Sequence, residues 1–454
     1  MAAKKPVITT SLGGNTEVVI DGQTGTLIPM NNPDKLSEAI LYHLKNPEIS
    51  KRMGENGYER AKQFFSSSQM IKKVMDIYRK IPVNHGHKFK PISVIKIILR
   101  FTSRVLLQNQ KSIGIEDFKR NYKANKILVV SLTHLGDMVL LSPFLRNLRM
   151  GFPKATIDIL LKRQVSEILE YCPYINNYII YNAKWVTNIK RGDGFVKTLN
   201  IIRQLKKNQY DLSFVTHPHI FSNMIPWLAK IPFRVGYSDE GDGFLNICFK
   251  KEKQIQHARD YPLNLLRYLN LKVESEKLEI YLGPQDVSFA KEFFNRISSF
   301  DLSFFIGVHP GAGRREKIWL PERYAKVMQY IINKYNAHIL LFAGKQEADI
   351  TEKIKILLKD YQHRISDLTG KTTVLQMAAL MMMCKAILVN DAGPMHIASA
   401  LDKPTIALFI ATPDCWPNIW GPLSKNSRLV SGADGKINRP ENIRVEDVIK
   451  ALDE

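Results

Sequence analysis

Asp137 is the residue around which a reaction can be built. It closes the stretch SLTHLGD (131–137), which follows the apolar run Lys126–Ser131 and leads into a helical pattern. A carboxylate at such a strand-to-helix junction could accept the proton of a hydroxyl nucleophile. The same position suits an acid that caps a helix or meets its positive end, and spacing alone leaves both roles open. Gly136 beside it permits close backbone approach, and His134 is either a competing base or a surface residue.

Three further junctions have the composition of ligand-binding loops. HPGAGRREKIW (309–319) places Gly311 and Gly313 where backbone N–H groups can turn toward an anion, and Arg314, Arg315 and Lys317 add positive charge. Together they suit a diphosphate; the plain alternative is a solvated basic loop. In NDAGPMH (390–396), Pro394 fits a first helical turn and Gly393 a tight approach, so free helix N–H groups would face a ligand. There Asp391 either bonds sugar hydroxyls or caps the helix, and His396 either meets a phosphate or packs in the core. GKQE (344–347) ends on Glu347, a candidate for ribose hydroxyls or an ordinary helix-start acid.

Other motifs fail on inspection. Gly370, Lys371 and Thr372 resemble the end of a phosphate-binding Walker loop, but Ile365 stands where the first glycine is required. Gly311 and Gly313 lack the third glycine of a dinucleotide fingerprint. The acidic run Ser238–Asp242 reads as a surface turn, and Met381–Met383 as helix core. Cys172, Cys248, Cys384 and Cys415 have no paired spacing, so neither a disulfide framework nor a zinc site is expected, and a reducing compartment fits.

The elements that position these junctions alternate apolar runs with helical patterns, the signature of βαβ units. One series runs through Lys126–Ser131, Ala155–Leu161, Asn177–Tyr181 and Asp211–Val215, with one helix over Met138–Met150 after the first strand. A second runs through Phe304–His309, His338–Phe342, Ala386–Asn390 and Thr405–Phe409, and Val445–Leu452 closes the chain as a helix. Two parallel-sheet series imply an α/β protein with two doubly wound domains facing a cleft. Of 454 residues, 65 are Lys or Arg and 43 Asp or Glu, so the chain carries +22 and calls for an acidic partner. Residues 1–124 hold 21 basic and 10 acidic side chains, half of the excess. Residues 81–124 hold nine basic and two acidic ones. No run reaches a membrane span, and no secretory signal opens the sequence.

At these junctions residues 125–450 resemble glycosyltransferase family 9, the family of the lipopolysaccharide heptosyltransferases. The resemblance rests on "LTHLGDMVLLSPFLRNLR", "RVGY" at Arg234–Tyr237, "HPGAGRREKIWLPERYAKV", "DLTGKTTVLQMAALMMMCKAILVNDAGPMHIASAL" and "KPTIALF". It implies a GT-B fold of two Rossmann-like domains and inverting, metal-independent transfer of a sugar, heptose being a candidate. The donor would be a nucleoside-diphosphate sugar, with no further cofactor, and the acceptor a hydroxyl of a lipopolysaccharide-core or other cell-envelope glycan. By that resemblance Asp137 is the catalytic base and Lys317 stabilises the leaving diphosphate. Asp391 and Gly393 match the donor-binding Asp-Thr-Gly element, with Ala392 in place of threonine, while Glu347 and Thr372 match nucleotide-contacting positions. Gly136, Gly311, Gly313, Arg314, Arg315, Pro394 and His396 complete the expected donor site. The alternative is a degenerate nucleotide-sugar-binding or scaffold protein, which Ala392 would suit.

Residues 1–80 resemble the C-terminal part of a family 4 glycosyltransferase. Gly13, Gly14 and Glu17 remain from its nucleotide loop, but most of the supporting sheet does not. We expect a partial Rossmann-like fragment over 1–80, a basic connector over 81–124, an acceptor-side domain over 125–290 and a nucleotide-sugar-binding domain over 291–454. In the connector, Lys96, Arg100 and Arg104 form a stripe on the apolar helix expected over Pro91–Leu107. That helix either lies on an anionic membrane or packs on a neighbouring domain. The expected partners are therefore a nucleotide-sugar donor, a lipid-linked glycan and an anionic membrane surface, but no nucleic acid. The expected location is cytoplasmic, peripheral to the inner membrane.

Overall fold

Runs of aliphatic residues with no polar face make strands covered on both sides, as in Ile127–Val130, where every side chain is fully buried. A computed structural model describes residues 1–12, 14–65, 124–182, 193–238, 242–250, 255–297, 304–410, 416–431 and 439–454. The helix expected over Pro91–Leu107 and nearly all of the connector lie outside these residues, as do Gly13 and Cys415. The chain divides into two units, Met1–Lys90 and Pro91–Glu454.

The first unit pairs β1 (Val7–Thr10) with β2 (Gly25–Ile28) in parallel. Two helices, α1 (Pro33–Lys45) and α2 (Pro47–Phe64), pack on this ribbon. Gly25 is required, because a Cβ there would lie 2.2 Å from the Val7 carbonyl oxygen. Leu36, Ile40 and Leu44, one face of α1, remain exposed.

The second unit holds two six-stranded parallel sheets. The first comprises β3 (Lys126–Val130), β4 (Thr156–Leu161), β5 (Asn177–Ile180), β6 (Leu212–Val215), β7 (Phe233–Tyr237) and β8 (Ile247–Phe249), in the order β5-β4-β3-β6-β7-β8. The second comprises β9 (Phe304–His309), β10 (Ala337–Leu341), β11 (Ile365–Asp367), β12 (Ala386–Asn390), β13 (Thr405–Leu408) and β14 (Ser427–Val430), in the order β11-β10-β9-β12-β13-β14. Each sheet starts in its centre, grows to one side and then reverses. The crevice at that reversal opens between β3 and β6 in one sheet and between β9 and β12 in the other, at the C-terminal ends of the strands.

Several elements differ from expectation. The helix expected over Met138–Met150 is two helices, α3 (Leu135–Leu140) and α4 (Ser142–Gly151), because Pro143 lacks an N–H and starts a helix rather than continuing one. Strands β7, β8, β11 and β14 escape a search for apolar runs, since three of them are only three or four residues long and lie toward sheet edges. In β7, Arg234 is buried and spends its guanidinium on the Phe244 and Ile231 carbonyls, at 2.7 and 2.6 Å. That arginine of "RVGY" therefore holds the corner between β7 and β8. The boundary drawn at 290/291 falls inside α5 (Pro284–Ile297), whose buried Ala290 and Phe294 belong to a helix packed against α6 (Val374–Met383) of the second sheet. The chain crosses back near its end, where the Ala258 N–H donates to Ile419 O at 2.8 Å and His257 Nε2 lies 3.0 Å from Gly421 O.

Candidate active site

The loops at the two sheet reversals meet. Helix α3 follows β3, and α7 (Gly393–Ala400) follows β12; their N-terminal turns pack directly on one another. A Cβ on Gly136 would lie 2.7 Å from the His396 ring, and one on Gly393 would lie 3.1 Å from Leu135. The close approach that Gly136 permits is thus that of the opposing helix. His396 is buried against it, its Nδ1 has no hydrogen-bond partner among the described residues, and burial pushes its pKa down to about 4. Of its two expected roles, the packed one is the one observed.

Two cavities flank this contact. The larger, 550 Å³, is walled on one side by Thr133–Gly136, Lys162, Gln164 and Val165. Its other wall comprises His309, Ala312, Gly313, Ala343, Gly344, Gln346, Glu347, Thr372–Val374, Met377 and Ala392–Pro394. The smaller, 240 Å³, holds Asp137 with Ser131, Thr133, Thr216, His217, Pro218, Tyr261 and Trp420 among its walls. Thr133 lines both, and the Asp137 carboxylate bonds the N–H of the next residue, His134, so it sits beside the partition between them.

Asp137 accepts the His134 N–H at 2.9 Å, and the His134 ring Nδ1 stands 3.7 Å away. It therefore does secure the start of α3, while still facing the smaller cavity. Burial opposes its charge, but hydrogen bonds from His134 and the charges of His217 and His134 outweigh that and hold the carboxyl below the usual aspartate range. At neutral pH it is an ionised proton acceptor.

The second sheet supplies a cradle whose glycine turns are held by buried side chains. Asn390, fully buried at the end of β12, donates to Pro310 O at 2.6 Å and accepts from the Tyr324 hydroxyl at 2.8 Å, which fixes the start of the 310–313 loop. Glu347 accepts the Gly344 N–H at 2.7 Å and presses on Gly311, where any Cβ would lie 1.9 Å from its Oε1. Buried Lys317 donates to Asp391 at 2.5 Å. Burial pushes Asp391 upward, and Lys317 and Arg314 counter this only in part.

The expected donor residues thus separate. Gly136, Gly313, Glu347, Thr372, Ala392, Gly393 and Pro394 line the larger cavity. Gly311, Lys317 and Asp391 lie behind that wall, through Glu347 and through their own ion pair. Arg314 is half-exposed, and Arg315 turns outward to Asp349 at 3.0 Å. Trp319, next to this basic loop, is fully buried and bonds the Ile443 carbonyl at 3.0 Å. Sequence reasoning missed Lys162, Gln164 and His217, and gave Asn390 no role of its own within its junction. All four lie at or just beyond a strand's C-terminal end, which was the available signal.

The family description "Glycosyltransferase family 9 (heptosyltransferase)" matches residues 198–446, and "Glycosyl transferases group 1" matches residues 1–60. A lipooligosaccharide heptosyltransferase 2 of Haemophilus ducreyi is 30% identical over 335 residues, 70% of this chain and 92% of that protein. A lipopolysaccharide heptosyltransferase 2 of Salmonella typhimurium is 29% identical, covering 67% of this chain and 87% of its own. The solved E. coli ADP-heptose lipopolysaccharide heptosyltransferase II superposes with a TM-score of 0.61 at 23% identity, covering 72% of this chain and 97% of that one, so the paired Rossmann-like sheets form a GT-B fold.

Proposed function

This chain belongs to glycosyltransferase family 9, and on that footing we propose that it transfers heptose from a nucleoside-diphosphate heptose to a hydroxyl of a lipopolysaccharide-type core. ADP-heptose is the first donor to try, since it appears in the name of a structural neighbour, and the named substrates of the sequence relatives point to the acceptor. The observation that carries the reading is the placement of an ionised Asp137 beside the partition between two cavities, one of which has a glycine and helix-start wall.

In this reading the larger cavity takes the donor and the smaller one the acceptor sugar. Asp137 takes the proton of the acceptor hydroxyl as its oxygen bonds the anomeric carbon. The bond from that carbon to the diphosphate oxygen breaks, and its electron pair leaves on the diphosphate. Attack from the Asp137 side, opposite the leaving group, is a single displacement and inverts the anomeric configuration. The charge on the leaving group meets the Gly313 loop and the N-terminus of α7, with Lys317 behind them. We assign that neutralisation to protein groups rather than to a metal.

None of the described helices is long and apolar enough to cross a membrane. We place the reaction at the cytoplasmic face of the inner membrane, where a lipid-linked acceptor and the basic connector would meet. The decisive test is transfer from ADP-heptose to a heptose-deficient core by wild type and Asp137→Ala. The variant should bind ADP normally and transfer nothing measurable, and full turnover by it would overturn the assignment.

A further inference from the structure

Lys162 is the one Lys or Arg among the described residues that line the larger cavity. It follows directly on β4, so it stands on the wall opposite the Gly313 loop and the start of α7. Its side chain is half-buried and makes no hydrogen bond or ion pair among the described residues. Burial lowers its pKa, and only the charge of Asp137 opposes this. The cations expected to serve this cavity are spent elsewhere, Lys317 on Asp391 and Arg315 on Asp349. A cation held partly out of water without a bonded counter-ion is costly, and a bound anion removes that cost.

We propose that Lys162 contacts the diphosphate of the donor from the first sheet, so that this anion is gripped by both walls of the cleft. This rests on the donor assignment of the larger cavity. The diphosphate is favoured over an anionic group of the acceptor because Lys162 is absent from the Asp137 cavity. Two consequences follow. The share of the affinity that Lys162 supplies should depend on the phosphates and not on the nucleoside, and a bound diphosphate should tie the β3–β8 wall to the β9–β14 wall.

Titrations of the full chain with ADP, UDP and adenosine, for wild type, Lys162→Met and Lys162→Arg, test this. Lys162→Met should weaken binding of the preferred nucleoside diphosphate at least tenfold and leave adenosine binding unchanged. Lys162→Arg should recover most of the loss, which a merely structural role would not predict. In steady state the methionine variant should raise the donor KM while the acceptor KM stays within twofold. Unchanged diphosphate affinity in Lys162→Met, equal losses for ADP and adenosine, or a rise confined to the acceptor KM would each overturn the assignment of Lys162. A wild-type chain that binds no nucleoside diphosphate would instead overturn the donor reading of the cavity, and this inference with it.

Discussion

The wall built on β9–β14 brings glycine turns, a helix start and the acid Glu347 to the cleft, whereas the wall built on β3–β8 brings Asp137 and the cation Lys162. On the first, Gly313, Gly344 and the start of α7 line the cavity, and the buried cation Lys317 is paired with Asp391. On the second, Asp137 is ionised and Lys162 has no bonded partner among the described residues. In the proposed reaction the contrast follows from the task assigned to each wall. A leaving group of high charge is best met by fixed dipoles that need no rearrangement, while proton removal needs a group that can change charge.

The contrast is sharpest at Asp137. Asp137→Asn keeps the shape and the contact with His134 but removes the acceptor, and turnover should fall by about 10²–10⁴-fold with ADP affinity preserved. Because the ionised form is the working one and its pKa is lowered, the acid limb of kcat/KM should lie below the ordinary aspartate range. A limb near neutral pH would transfer the role of base to a histidine such as His134 or His217.

Lys317 breaks the comparison from the other side. Lys317→Met should lower turnover by about 10²–10³-fold, and it strands Asp391 in the interior at a cost of about 3–5 kcal/mol. The double variant Lys317→Met with Asp391→Asn should regain most of the melting temperature but not the turnover. Recovery of both would make the pair purely structural.

The contact between the walls is set by Gly136 and His396. Folding buries His396 with its pKa near 4, below the ordinary value of 6.5, so its neutral form contributes stability that is complete above pH 6.5. That contribution should be lost as pH falls toward 4, by about 3 kcal/mol at most. A His396→Gln variant should show a flatter melting profile across this window. Gly136→Ala pushes a methyl into the same ring and should cost about 1–3 kcal/mol, read as a lower midpoint of denaturant unfolding. Smallest of all, Arg315→Ala should change stability and ADP affinity within about 0.5 kcal/mol, since its ion pair with Asp349 is exposed. A large loss there would return Arg315 to the cleft.

Much was legible in the sequence. Both central strands, Lys126–Val130 and Phe304–His309, announce themselves because a strand buried on both faces must be apolar throughout, and the loop after each carries chemistry because crevices open at strand ends. Asp137, Lys317 and the 391–394 turn could be named for that reason. Edge strands such as Ile365–Asp367 and Ser427–Val430 could not, since a short edge strand needs no such run. The sequence determined the α/β class, the two sheet series and the residue types at each junction, because burial and turn chemistry are local demands. Tertiary structure decided which charges face the ligand. Lys317 meets Asp391, Arg315 meets Asp349, His396 meets Gly136, and Lys162 enters the cavity, all through contacts between residues far apart in the chain. A charge acts through its neighbours, and those neighbours are assembled only when the two sheets pack.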